Sequence, residues 1–177
     1  MLRPVICATL LALTGCSGYG NYRDTSITME SVSQLETERY LGLWYEIARF
    51  PNFFEEGCAG VTAEYALRPD GRINVLNTCR EGSVDGTEDQ AEGVARVVAP
   101  GQLKVKFVEW LPFEGDYWVI GLTEDYTVSV VGEPEGDFGW ILARTSALGS
   151  AQRDEALAVL ERFGYDTSQL IWTDQRS

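Results

Sequence analysis

The sequence predicts an all-β chain closed into an eight-stranded antiparallel up-and-down β-barrel, with one C-terminal α-helix packed outside it. Three observations carry this. Short segments of alternating apolar and polar residues recur from residue 40 to residue 144, each of strand length. Turn residues divide them at close intervals, among them Pro69-Asp70-Gly71, Pro100-Gly101 and Glu124-Asp125. One amphipathic stretch follows the last segment. Closing eight such strands removes the sheet edges and leaves an interior able to take one small ligand.

The opening stretch, Tyr40 to Phe54, reads YLGLWYEIARFPNFF and sets Gly42 two residues before Trp44. A glycine there permits a tight turn that drives the indole into the base of a core. Val61, Ala63, Tyr65 and Leu67 then alternate with Thr62, Glu64, Ala66 and Arg68. Beyond the turn, Ile73, Val75 and Asn77 face one way, with Asn74, Leu76 and Thr78 the other. An acidic loop, Glu81 to Asp89, precedes a weaker strand over Gln90 to Val98. Leu103, Val105 and Phe107 alternate with Lys104 and Lys106, and lysine ammonium groups require the wet face. After the aromatic loop Trp110 to Gly115, three strands run over Tyr117–Thr123, Tyr126–Gly132 and Gly139–Arg144. Ser150 is placed to cap a helix with Asp154 and Glu155 in its first turn and Ala156, Leu157, Leu160 and Phe163 along one stripe, ended by Gly164. That stripe has only the outside of the barrel to cover. Ile171-Trp172 finishes as a short strand or packed tail.

The first residues predict export. Arg3 precedes the apolar run Val5 to Leu13, too short to span a bilayer but of the length of a signal-peptide core. Leu13-Thr14-Gly15-Cys16 resembles the lipobox of bacterial lipoproteins, which implies cleavage after residue 15 and lipid on Cys16. Ser17 in place of aspartate implies sorting to the outer membrane. Residues 16–30 read as a lipidated N-terminus and flexible tether, and residues 31–177 as one domain with its own core. The alternative is an ordinary signal peptide with an incidental cysteine.

Charge excludes one class of partner. Asp+Glu 27 against Lys+Arg 14 gives −13, and loss of Arg3 with the leader makes −14; such a surface repels nucleic acid. Of four cysteines, Cys7 leaves with the leader and Cys16 takes lipid, so Cys58 and Cys79 remain as a candidate disulfide in an oxidising compartment. Symmetric pairing about Asp70 puts Cys79 opposite Val61, so the bridge requires a bend in the strand before Val61.

Three short motifs give a resemblance. Gly42-Leu43-Trp44, Thr123-Glu124-Asp125-Tyr126 and Arg144 match the three signatures of the lipocalin family, and the longer runs LGLWYEIARFPNFFE, VTAEYALRPDGRINV and WILART resemble its bacterial outer-membrane and apolipoprotein D-like branch. The likeness covers residues 35 to 173. It implies a lipocalin calyx with Trp44 at the closed end and Arg144 stacked across it, a cation–π contact of about 1 to 2 kcal/mol when desolvated.

The residues predicted to face inward form the candidate ligand site: Val61, Ala63, Tyr65, Ile73, Val75, Asn77, Leu103, Val105, Phe107, Tyr117, Val119, Trp140 and Leu142. They make an apolar lining with few hydroxyls, suited to an acyl chain. The resemblance implies fatty acids or lysophospholipids as ligands, held for storage or transport in outer-membrane maintenance. The sequence has no histidine, hence no imidazole base, no Ser-His-Asp arrangement and no common zinc site. No enzyme, cofactor or metal is expected. The competing reading is an interaction lipoprotein with a filled barrel acting through its rim, where Trp110-Leu111-Pro112-Phe113 has a membrane or a second copy, as a homodimer, for candidate contacts.

Overall fold

The computed structural model describes residues 21–107, 110 and 112–176. The predicted leader, the candidate lipid site Cys16 and Leu111 of the aromatic loop lie outside the described residues. Eight strands follow a one-turn helix α1 (Thr37–Tyr40): β1 (Gly42–Arg49), β2 (Cys58–Leu67), β3 (Ile73–Glu81), β4 (Glu88–Ala99), β5 (Gln102–Lys106), β6 (Gly115–Leu122), β7 (Val128–Gly132) and β8 (Gly139–Ala143). Each pairs antiparallel with the next, and β1 pairs with both β2 and β8, which closes the barrel. Helix α2 (Ser150–Arg162) and a two-residue strand β9 (Ile171–Trp172) complete the chain.

Closure is uneven along the β1–β2 seam. These strands pair only from Gly42↔Tyr65 to Tyr45↔Thr62, because each then carries an irregularity, β1 between Glu46 and Ala48 and β2 between Ala59 and Thr62. The C-terminal tail fills the gap. β9 pairs with Ala48 and Arg49, the Thr173 amide donates to the Ile47 carbonyl (3.0 Å), and the Gly60 amide donates to the Asp174 carbonyl (2.7 Å). The Gln175 side-chain amide donates to the carbonyls of both Glu46 and Val61, at 2.8 Å each. Backbone groups that the two bulges strip of ladder partners are thus satisfied by the tail.

The β2 bulge also supplies the bend that the cysteines require. Gly60 sits at φ +58, a left-handed conformation open to glycine at little cost, and the extra residue brings Cys58 and Cys79 to a Cα separation of 5.4 Å, where they form a disulfide.

Two apolar layers lie on opposite faces of the sheet. One buried cluster draws a residue from each of the eight strands, Trp44, Tyr65, Val75, Ala95, Leu103, Val119, Val131 and Leu142, and is the barrel interior. The other joins Ile47, Phe50, Ile120, Val130 and Ile141 to Ala156 and Leu160 of α2, and lies outside. The helix comes close enough that a Cβ at Gly121 would stand 2.9 Å from Val159 Cγ1, so a side chain there would push α2 off the wall. Gly164, at φ +86, ends the helix region as expected.

Three expectations are corrected. Ser150 is the first helical residue and not the cap: Gly149 holds that position, and its amide donates to the Gln152 side chain (3.3 Å). Of residues 21–30, expected as tether, Tyr22 and Arg23 are buried. Tyr22 is buried with its ring stacked on Phe50 (5.1 Å), and Arg23 donates to the carbonyls of Phe163, Pro134 and Ile27. Polar composition hid this segment because its order comes from one forked guanidinium and one aromatic stack, with no periodic face. Leu67, expected inward with Tyr65, is exposed at the end of β2, where the barrel wall has already given way to the turn.

Candidate functional site

Strand polarity gives the barrel a closed end and an open end. The segment 31–41 and the turns after β2, β4 and β6 lie at the closed end. The loops after β1, β3, β5 and β7 lie at the other. At the closed end Trp44 is fully buried, its indole N–H donates to the Tyr40 carbonyl (2.8 Å), and the Arg144 guanidinium lies 3.8 Å over its ring. Arg144 also donates to the carbonyls of Leu43 (2.7 Å), Arg39 (2.8 Å) and Leu41 (2.8 Å). One side chain therefore caps α1 and β1 together, because a planar cation presents both a stacking face and a fan of donors. Gly42, at φ +89, makes the turn that admits it. In the second motif the Thr123 hydroxyl accepts from the amides of Thr127 and Val128 (3.0 Å each), and Tyr126 takes φ +60 so that its hydroxyl accepts from the Glu36 amide (3.0 Å).

Above Trp44 the floor is polar where an apolar lining was expected. The Tyr40 hydroxyl bonds both Tyr117 and Ser129 at 2.8 Å, and Tyr117 bonds Tyr65 at 3.0 Å. Burial pushes Tyr40 up to about 12 and raises Tyr65 and Tyr117 as well, so all three stay neutral and share protons along the chain. Linked hydroxyls satisfy one another and fix the rings that fill the lower half.

Part of the inner face stays accessible. Ala63, Asn77, Val105, Tyr117 and Trp140 share that face and are only partly buried, with the small residue Ala95 paired to Val105. Phe107 is 46% exposed near the mouth, with its ring across Gly93, where an added Cβ would meet it at 2.9 Å. Of the thirteen residues named from the sequence, Tyr65, Ile73, Val75, Leu103, Val119 and Leu142 belong to the buried interior cluster, with Ala63, Val105, Tyr117 and Trp140 packed against it. Val61 is buried beside the tail-filled seam.

An ionic cluster in the upper wall went unread. Glu46, Arg49 and Glu55 are all buried. Arg49 pairs with Glu46 at 2.9 Å, stands 3.9 Å from Glu55, and donates to the Glu55 carbonyl at 2.8 Å. The Trp140 indole donates to the Glu55 carboxylate (3.2 Å), and the Thr173 hydroxyl donates to Glu46. Glu46 lies opposite Leu142 and Arg49 opposite Trp140, both inner-face positions. The β1 bulge makes this possible: it adds one residue between them, so that positions 46 and 49 share a face.

Burial, and after it the charge of Glu55, pushes the Glu46 carboxyl up to about 8, with Arg49 pulling the other way. The folded state then holds this proton more tightly than the unfolded chain. Its stabilising share is complete below the ordinary carboxylate range and is lost as pH rises through the raised value. Denaturant titrations should show stability falling between about pH 5 and about pH 9, with much of that slope absent in Glu46→Gln. Glu133, raised to about 7 chiefly by burial, slopes the same way and stays in the variant. An unchanged slope in Glu46→Gln would remove the assignment.

The lipocalin-like domain profile matches residues 35–175, and the chain is 38% identical to the outer membrane lipoprotein Blc of Escherichia coli (strain K12) over 98% of its own length and 97% of that protein. The chain belongs to the lipocalin family. This lipocalin is also 32% identical to apolipoprotein D of Macaca fascicularis, covering 98% of this chain and 95% of the other. Among solved structures, insecticyanin of Manduca sexta superposes with a TM-score of 0.69 at 20% identity, over 90% of this chain and 89% of that one, a likeness of fold. The bacterial relatives, from Escherichia, Citrobacter and Vibrio, are outer membrane lipoproteins matched over nearly their whole length. This lipocalin shares that place, lipid-anchored at the bacterial outer membrane.

Proposed function

We propose that this lipocalin binds one single-chain lipid, a fatty acid or lysophospholipid, in the upper half of its barrel and stores or carries it at the outer membrane, held there by acylated Cys16. The observation that carries the reading is a partly accessible inner face, with Ala63 opposite Trp44 and Val105 beside Ala95, closed at one end by tyrosines and Trp44. Burying about a dozen methylenes at about 0.8 kcal/mol each gains on the order of 10 kcal/mol, against association costs of several kcal/mol. The tail lies toward Tyr117 and the headgroup at the mouth. A binding role without catalysis accords with a family of binding proteins and with an interior whose tyrosines are all held neutral.

Fluorescent fatty-acid titration tests this. Val105→Asp places a charge against the buried tail and should weaken binding by about ten- to a hundredfold. Lys104→Gln changes the outer face, where Lys104 pairs with Asp116 at 2.7 Å, and should leave affinity nearly unchanged. Equal effects of the two substitutions would defeat the assignment.

A further inference from the structure

The described chain begins at the open end of the barrel. The Asn21 amide donates to the Asp137 carboxylate (2.8 Å) and the Tyr22 amide to the Gly136 carbonyl (2.7 Å), both acceptors in the loop between β7 and β8. The Tyr22 hydroxyl reaches the Pro51 carbonyl (2.8 Å), in the loop between β1 and β2 at the same end. Asn21 lies five residues beyond Cys16, a distance of about 17 Å at full extension. A lipid on Cys16 therefore keeps the mouth, and not the closed end, beside the bilayer.

Two of the four rim loops carry exposed aromatic rings, while the β3–β4 loop holds Asp85 between Glu81 and Glu88. Phe53 (68% exposed) and Phe54 (50%) stand on the β1–β2 loop, and Phe107, Trp110 (83%) and Phe113 (76%) on the loop between β5 and β6. The first pair continues inward as a row. Phe53 meets Phe54 at 5.2 Å, Phe54 meets Phe138 at 5.4 Å, and Phe138 stacks on Trp140 at 6.0 Å. Trp140 belongs to the inner wall. Phe138 adjoins Asp137, which accepts from the Asn21 amide, so the row passes beside the first described residue. Exposed aromatic rings favour the headgroup boundary of a bilayer, and their clustering on two loops at one end of the barrel marks a contact surface.

We propose that the open mouth docks on the membrane that holds the anchor, with Phe53, Phe54, Phe107, Trp110 and Phe113 seated in the headgroup region and the Phe54–Phe138–Trp140 row leading single-chain lipid from bilayer to lumen. The occupant is the lipid surface. The inference rests on acylation of Cys16, and the −14 charge of the processed chain favours lipids without net charge.

The test uses the full chain purified from bacterial membranes, its intact mass recorded, and then reconstituted in phosphatidylcholine vesicles with brominated acyl chains. Bromine quenches only tryptophans near the hydrocarbon. The wild type should be quenched, Trp110→Phe should lose at least half of the quenched emission, and Phe53→Glu with Phe113→Glu should lower quenching at Trp110 at least twofold without changing the far-ultraviolet spectrum. An acylated protein with no quenching, or quenching unchanged in Trp110→Phe, overturns docking while leaving the anchor in place. A mass without acyl chains overturns the anchor, and docking with it. Cross-linking of acylated protein into dimers through the rim, with Trp110 shielded from bromine, assigns the surface to a second copy and also overturns the proposal.

Discussion

Trp44→Ala should cost about 3 to 5 kcal/mol of stability, seen as a large drop in the denaturation midpoint in urea with little change in slope. Total stability for a domain of this size is about 5 to 15 kcal/mol, so the variant stands near the edge of folding. Three losses combine. The indole is fully buried at the barrel base, and its removal leaves a cavity that strands fixed on both sides cannot collapse to fill. The Arg144 guanidinium loses the ring 3.8 Å beneath it. The Tyr40 carbonyl loses its indole donor, and the Tyr40 ring, 4.9 Å from the indole, loses its packing partner. Because Tyr40 anchors the hydroxyl chain to Tyr117 and Ser129, the floor of the lumen should loosen as well. A loss below about 1 kcal/mol, smaller than ordinary core truncations, would show that the closed end does not hold the barrel.

Removing the disulfide with Cys58→Ser and Cys79→Ser should cost about 3 kcal/mol, the loop-closure value for a bridge of this span. The bridged residues are 21 apart in sequence. The bridge joins β2 and β3 at the mouth, where the β1–β2 ladder has lapsed and the C-terminal tail bridges the seam. Hydrogen exchange in the double variant should therefore rise first at Gly60 and Asp174–Gln175, with the β6–β7 pairing unaffected. Equal stability with and without the bridge, under reducing and oxidising conditions alike, would contradict this.

Strand alternation made most of the barrel legible. Leu103 and Val105 against Lys104 and Lys106 admit one orientation, and the hairpin about Asp70 fixed the β2–β3 register closely enough that the cysteine spacing demanded a bulge, which Gly60 provides. The family motifs identified Trp44 and Arg144. What alternation hides is a change of parity. Glu46 and Arg49 read as charges on a strand, normally outward, until the bulge between Glu46 and Ala48 carries Arg49 to the inner face. Only a partner shows such a shift, and the partners Glu55 and Thr173 come from a loop and the far C-terminus. Tyr40 and Ser129 were missed as well. Tyr40 comes from helix α1, before the first strand begins, while Ser129 lies on the inner face of β7 two residues from Val131, where alternation places it.

The central claim is that the upper lumen holds a single acyl chain, and the most direct measurement is native mass spectrometry of the delipidated protein mixed with palmitate. One added palmitate per chain is expected, lost when Ala63→Trp fills the inner face between Trp44 and Asn77. No adduct, or an adduct equally abundant in Ala63→Trp, would contradict it.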